Sequence, residues 1–257
     1  MKKSINTLSK AYPAIAFLLL LLIWELLVQL ADVPAFILPP PSQVMIALIE
    51  GLPLLLNHTG ATLMEAGLGF TLSILIAFLI GFLLDNIVWL RQTFYPLIIV
   101  SQTIPLITLA LLFAIWFGFG IFPKILVVIL VCFFPIVISL MSGLDSVDYD
   151  QIQLFRSMGA GKLEIFTMVK VPAAMPAFFS GVRISATYSI MAAIIGEWMG
   201  ATKGLGYFMT IAQKSYRIDQ VLAAVVLICL LSLLMVLLVD LLEYLLLPWN
   251  RCNDHVL

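Results

Sequence analysis

Gln153-Leu154-Phe155-Arg156-Ser157-Met158-Gly159, nine further residues, and then Val169-Lys170-Val171-Pro172 form a polar island in a chain that is otherwise apolar. On both sides of it lie apolar runs of about 20 residues, each long enough to cross ~30 Å of hydrocarbon. The 257 residues are 63% hydrophobic and 11% charged, with mean hydropathy +1.16. This composition predicts an all-α polytopic membrane protein with six transmembrane helices. Working outward from the island, the spans fall at about 11–31, 59–84, 95–117, 121–144, 176–199 and 221–246. The island occupies a segment of about 145–175, and residues 1–257 are expected to form one transmembrane domain.

The net charge of -1 gives no reason to expect a nucleic-acid partner. No polar stretch has the size of a soluble domain, so an energy source or capture domain is expected on other chains. Cys132, Cys229 and Cys252 are too few and too scattered for a disulfide framework or a metal site, and two lie inside apolar runs as small core residues. The first apolar run follows Lys2, Lys3 and Lys10 but is too long for a signal-peptide core, so it is expected to be retained. The Pro-rich stretch from Pro34 to Pro53 reads as a stiff turn leading into a short interfacial helix. Gly118-Phe119-Gly120 reads as a tight turn between the third and fourth spans.

Orientation follows from the basic residues. An inside N-terminus puts Lys2, Lys3, Lys10, Arg91, Arg156, Lys162, Lys170 and Arg251 in the cytoplasm, against Lys203, Lys214 and Arg217 outside. The island is then cytoplasmic. Within it, Ser146 can cap a short helix whose N-terminus carries Asp148 and Asp150, with Ile152, Phe155 and Met158 at threefold spacing. Gly159 stops that helix, because a sharp reversal needs a left-handed backbone. Lys162 to Val171 can form a second helix until Pro172 interrupts it. Two short helices across the membrane face would present a compact knob, with Arg156, Lys162, Glu164 and Lys170 as rim charges.

At these residues the sequence resembles the inner-membrane permease subunits of binding-protein-dependent ABC importers. Their cytoplasmic loop carries E-A-A, three residues, Gly, nine residues and I-x-L-P; here Gly159 and Pro172 match in place and spacing. Gln153-Leu154-Phe155 stands for E-A-A and Val169-Lys170-Val171 for I-x-L, which removes the acidic side chain from the start of the motif. Leu38-Pro39-Pro40-Pro41-Ser42-Gln43-Val44, Ile115-Trp116-Phe117-Gly118-Phe119-Gly120, Phe133-Phe134-Pro135-Ile136, Gly196-Glu197-Trp198-Met199-Gly200-Ala201 and Gly204-Leu205-Gly206 extend the resemblance toward the nitrate, sulfonate, taurine and thiamine-precursor branch.

The resemblance implies a type I ABC importer permease fold with cytoplasmic coupling helices, set in lipid in the bacterial cytoplasmic membrane. It implies a permease homodimer, two ABC ATPase subunits and an extracytoplasmic solute-binding protein. ATP and Mg would be bound by the ATPases, with no cofactor or chemistry in this chain. Gln153, Phe155, Arg156, Gly159, Lys162 and Pro172 would meet the ATPase. The solute, a small anion of nitrate, sulfonate or taurine type or a thiamine-precursor pyrimidine, would be chosen by the binding protein.

Ionisable residues inside spans need a reason to be there, and the candidates are Glu25, Glu65, Arg183 and Asp240. Arg183 and Asp240 lie at similar depth, which predicts a buried ion pair or shared network between them. Such a pair would either fix helix register or face a pathway and attract an anion. Glu25 and Glu65 lie nearer the outer surface, where snorkelling or pairing is expected, and Lys124 is expected to snorkel. Gln102, Thr103, Ser185 and Tyr188 are candidate pathway residues, with Pro105 as a kink. Their bland alternative is hydrogen bonding to backbone carbonyls or between helices.

Gly159-Ala160-Gly161-Lys162 hints at a phosphate loop, yet Arg156 and Leu163 stand where that motif needs Gly and Ser or Thr. Asn57-His58-Thr59 matches a glycosylation triplet by accident of sequence. Gly196 and Gly200 have helix-dimer spacing, but the glycine-rich segment that follows favours a turn. The alternative function is a stand-alone ion-coupled secondary transporter using Arg183, Glu65 and Asp240 as a relay. Neither an internal repeat nor corresponding broken helices in two halves supports it.

Overall fold

A computed structural model describes residues 2–249, with side chains from residue 12 onward. The side chains of Lys2, Lys3 and Lys10, and Arg251 and Cys252 altogether, lie outside the described residues. Among the described residues all regular structure is helical. Five helices are long and apolar enough to cross a membrane, or six if one sharply bent pair counts as a span.

Two compact units divide the chain, the first made of residues up to His58 together with Phe208–Leu227. It contains α1 (Lys2–Leu30), whose described surface is almost entirely exposed leucine, isoleucine and phenylalanine. That is a surface for lipid. Near its end Glu25 accepts the Ser42 backbone N–H at 3.0 Å and the Ser42 hydroxyl at 2.8 Å, so the carboxylate caps the start of α2 (Pro41–Asn86). Val44 and Ala47 of α2 pack with Ala223 of α10 (Ile218–Leu246), the helix after α9 (Leu205–Lys214), into a small cluster.

Here the structure corrects the expected interfacial helix. The stretch from Pro41 and the second span are one continuous helix of 46 residues, about 69 Å long at 1.5 Å per residue. Pro41 opens it, where a missing N–H costs nothing, and Pro53 forfeits one internal bond without ending it. The Asn57-His58-Thr59 triplet lies inside this helix, with Thr59 buried.

The second unit holds Thr59–Tyr207 and the residues from Ile228 onward. Its centre is the pair α5 (Ile121–Asp145) and α8 (Val171–Trp198). They approach closely because small residues face each other: a Cβ built on Gly181 would sit 2.7 Å from the Pro135 carbonyl oxygen. The Ser185 hydroxyl donates to the Cys132 carbonyl at 2.8 Å and the Cys132 thiol donates to the Ser185 carbonyl at 3.4 Å, all buried. Cys132 is thus a core residue as expected. Cys229 is exposed instead, on the leucine face of α10.

The third predicted span is broken. α3 (Val88–Ser101) and α4 (Leu106–Phe117) meet at 100°. Pro105 does more than kink a helix, since the chain turns over Ser101–Ile104, where Thr103 N–H and Ile104 N–H donate to Val100 and Ser101 carbonyls at 3.0 and 3.2 Å. Two ion pairs tie α3 to the end of α5 and the end of α2 to the π turn before α8. Arg91 pairs with Asp145, and Lys170 pairs with Asp85 at 2.8 Å.

Candidate functional site

The polar island folds as α6 (Tyr149–Ser157) and α7 (Lys162–Ile165), joined by a left-handed turn. Asp148 caps α6, accepting Asp150 N–H at 3.0 Å, whereas Ser146, the expected cap, lies at the end of α5 and donates to the Gly143 carbonyl. The aspartate wins because it adds charge at the positive helix end. Gly159 has φ of 87°, with its N–H on the Arg156 carbonyl and the Ala160 N–H on the Phe155 carbonyl, both at 3.0 Å. The Gly161 N–H then donates to Glu164 at 2.7 Å, which starts α7.

Pro172 behaves differently from expectation. It does not end a second helix: α7, a π-helical turn over Phe166–Lys170 and α8 run on without a gap. The wider π turn gives room for a proline ring that would otherwise clash with the carbonyl four residues earlier. Of the two expected surface helices, only α6 is separate; the second is the root of α8.

Ile152 and Phe155 turn partly inward, leaving Leu154, Met158 and Leu163 exposed at 59%, 74% and 61%. Arg156 and Lys162 flank this apolar tip and also line a cavity of about 260 Å³ with Asp85, Tyr149 and Lys170. Gln153 hydrogen-bonds Tyr149 one turn back. The island therefore offers a greasy tip with a basic rim, suited to a groove on a soluble protein.

The pathway candidates separate. Gln102 and Tyr188 line one cavity of about 270 Å³, with Ser101, Pro135 and Met191. Ser185 is fully buried in the α5–α8 contact, and Thr103 donates to the Val100 carbonyl at 2.8 Å. Arg183 and Asp240 do meet, at 2.6 Å, and Glu243 joins them at 2.7 Å. The expected buried pair is instead a half-exposed triad, with Arg183 and Asp240 side chains 44% and 43% exposed. The stripe of α8 that carries Arg183 is not covered by α5, whose contact lies on the opposite, glycine- and alanine-rich side.

One cluster was not foreseen. Glu197 is 1% exposed; it accepts the Thr62 hydroxyl at 2.6 Å and the Gly206 N–H at 2.5 Å, while the Thr62 oxygen accepts the Leu205 N–H at 2.9 Å. Glu65, the neighbouring carboxylate, pairs with Lys124 at 2.7 Å, and both are largely buried. Lys124 therefore pairs rather than snorkels. Gly200, with φ of 119°, makes the turn expected after the span, whereas Gly196 remains helical and packs on the Lys124 backbone. A signal for the cluster existed: Glu197 is an ionisable residue at a span end, followed by the glycines that bring backbone N–H groups to it.

Comparison with known proteins gives concordant results. Residues 69–251 match the model of the family described as binding-protein-dependent transport system inner membrane component. The formylaminopyrimidine transport permease protein ThiX of Halalkalibacterium halodurans is 36% identical over 98% of this chain and 99% of its own. The riboflavin transport system permease protein RibX of Chloroflexus aurantiacus is 35% identical, over 92% and 89%. Among solved structures, a chain of the MetNI methionine ABC transporter superposes with a TM-score of 0.67, at 20% identity, over 75% of this chain and 96% of that one. That last likeness concerns the fold alone.

Proposed function

The chain belongs to the family of binding-protein-dependent transport system inner membrane components, the permeases of ABC importers, and from that premise we propose how it works and what it carries. Two copies of this chain form a pathway for a small solute handed over by an extracytoplasmic binding protein. Two separate ATPase subunits, which hold ATP and Mg, receive the α6–α7 knob in surface grooves. The chain is a transport permease and not an enzyme.

The observation that carries the coupling assignment is the knob: exposed Leu154, Met158 and Leu163 beside Arg156 and Lys162, with its α7 half continuous with α8. A push on α7 reaches Arg183 and Tyr188 through unbroken helix, and a push on α6 is passed to α7 through the turn at Gly159. The N-terminus and the knob lie in the cytoplasm, on the distribution of basic residues. For the solute, 36% identity over 98% of the chain to a formylaminopyrimidine permease supports a thiamine-precursor pyrimidine over a sulfonate or nitrate.

The test is expression of the tagged chain with the ATPase and binding protein encoded beside it. The ATPase should co-purify, and uptake into proteoliposomes should require ATP inside. A chain that brings down no ATPase, or uptake that follows an ion gradient without ATP, would sink the proposal. In the same assay Gln102→Leu and Tyr188→Phe should each cut uptake severalfold with the ATPase still bound. Unchanged uptake in both would remove their shared cavity from the pathway.

A further inference from the structure

The open faces of the two helices that carry the Arg183 triad differ in chemistry. On α10 the exposed positions include Leu230, Leu233, Leu237 and Leu241, a surface for acyl chains. On α8, the most enclosed of the spans, the open stripe recurs every three or four residues as Ser180, Arg183 with Ile184, Thr187 with Tyr188, and Met191. Arg183 lies 12 positions past the start of α8, about 18 Å along a helix of about 42 Å. A half-exposed guanidinium at that depth cannot sit in hydrocarbon without a heavy cost.

The charges do not cancel. Arg183 Nε donates to Asp240 at 2.6 Å and a terminal nitrogen donates to Glu243 at 2.7 Å, one cation between two carboxylates. Arg91 on α3, Lys124 on α5 and Lys170 in the π turn are each paired with a carboxylate as well. An anion entering beside this stripe would meet a site that is already electronegative.

We propose that the Arg183–Asp240–Glu243 triad is a water-facing contact point on the translocation pathway, selective for neutral or cationic solutes that present N–H or O–H donors and against anions. Free acceptor positions on the two carboxylates would take the donors of an amino-substituted heterocycle. The idea rests on the permease reading above and specifies its solute class. It reverses the sign of the role expected for Arg183 as a lure for anions.

The experiment uses the full chain assembled with its ATPase in liposomes. Cys229 and Cys252 are replaced by Ser, and Thr187→Cys is introduced one turn from Arg183. Reaction rates are measured with a cationic and an anionic methanethiosulfonate reagent, each taken relative to its rate with a small thiol in solution, with Leu234→Cys on the leucine face of α10 as the lipid-facing control. Thr187→Cys should react and Leu234→Cys should not, and the cationic reagent should lead by about tenfold, as expected for one unit charge acting across several ångströms. Adding Glu243→Gln, which leaves one cation and one carboxylate, should erase that preference.

No reaction at Thr187→Cys, in the absence or presence of ATP, would show that the stripe does not face water. Equal rates for the two reagents would show that the triad does not select by charge. Both results are readable in the parent Thr187→Cys protein even if Glu243→Gln fails to assemble. Loss of ATPase binding by the parent chain would instead count against the permease reading, so the two failures are distinguishable.

Discussion

Gly159→Pro should abolish ATP-dependent uptake while leaving the chain in the membrane. Gly159 holds a φ of 87°, and proline fixes φ near -65°. The substitution also deletes the N–H that reaches the Arg156 carbonyl at 3.0 Å. Without that reversal α6 cannot fold back toward α7, and the apolar tip of Leu154, Met158 and Leu163 is dispersed. Gly159→Ala separates backbone from bulk, since a Cβ there meets no atom within 4 Å. It should give a partial loss, because a side chain in the left-handed region costs ~1–2 kcal/mol. Gln153→Ala should change little, as its amide only reaches Tyr149 within the same helix. Uptake and ATPase pull-down from the same membranes give the answer, and normal values for Gly159→Pro would mean that the lever lies elsewhere.

The second large effect is expected at the buried charges. Lys124→Met should lower the thermal stability of the purified chain strongly, because it strands Glu65 next to Glu197 without a cation. Removing one partner of a buried pair costs about 3–5 kcal/mol, whereas replacing both partners by apolar groups of similar size is often neutral. The double variant Lys124→Met/Glu65→Met should therefore recover most of the loss. In it Glu197 keeps the Thr62 hydroxyl at 2.6 Å and the Gly206 N–H at 2.5 Å. Melting of the four proteins in one detergent completes the cycle. Additive losses in the double variant would show that the 2.7 Å contact carries no coupling.

Some of this was legible in the sequence because the responsible forces are local. The number of apolar runs, the turn at Gly159 and the placement of the island depend on composition and on single residues with narrow backbone preferences. Other features depended on what a residue meets at a distance. Pro172 reads as a break, yet a π turn accommodates it, and the helix after the proline turn reads as short, yet it runs from Pro41 through Pro53 to Asn86. The bend at Ser101–Ile104 exceeds what Pro105 alone requires. Glu197 and Thr62 are 135 positions apart, and no periodicity links them. For Arg183 the depth argument found Asp240 but not Glu243, one turn further on the same helix, nor the half-exposure that changes the pair's meaning.

The ion pairs also say something about how the chain must be made. Spans enter the membrane in order, and a charge near the centre of an inserting helix costs about 2.5–3.5 kcal/mol on insertion scales. Glu65 on α2 is delivered well before Lys124 on α5, and Arg183 on α8 before Asp240 and Glu243 on α10. Each early charge has to wait in the insertion machinery or at its aqueous edge until its counter-ion is synthesised. A nascent chain halted before α10 therefore carries an arginine with neither of its counter-ions.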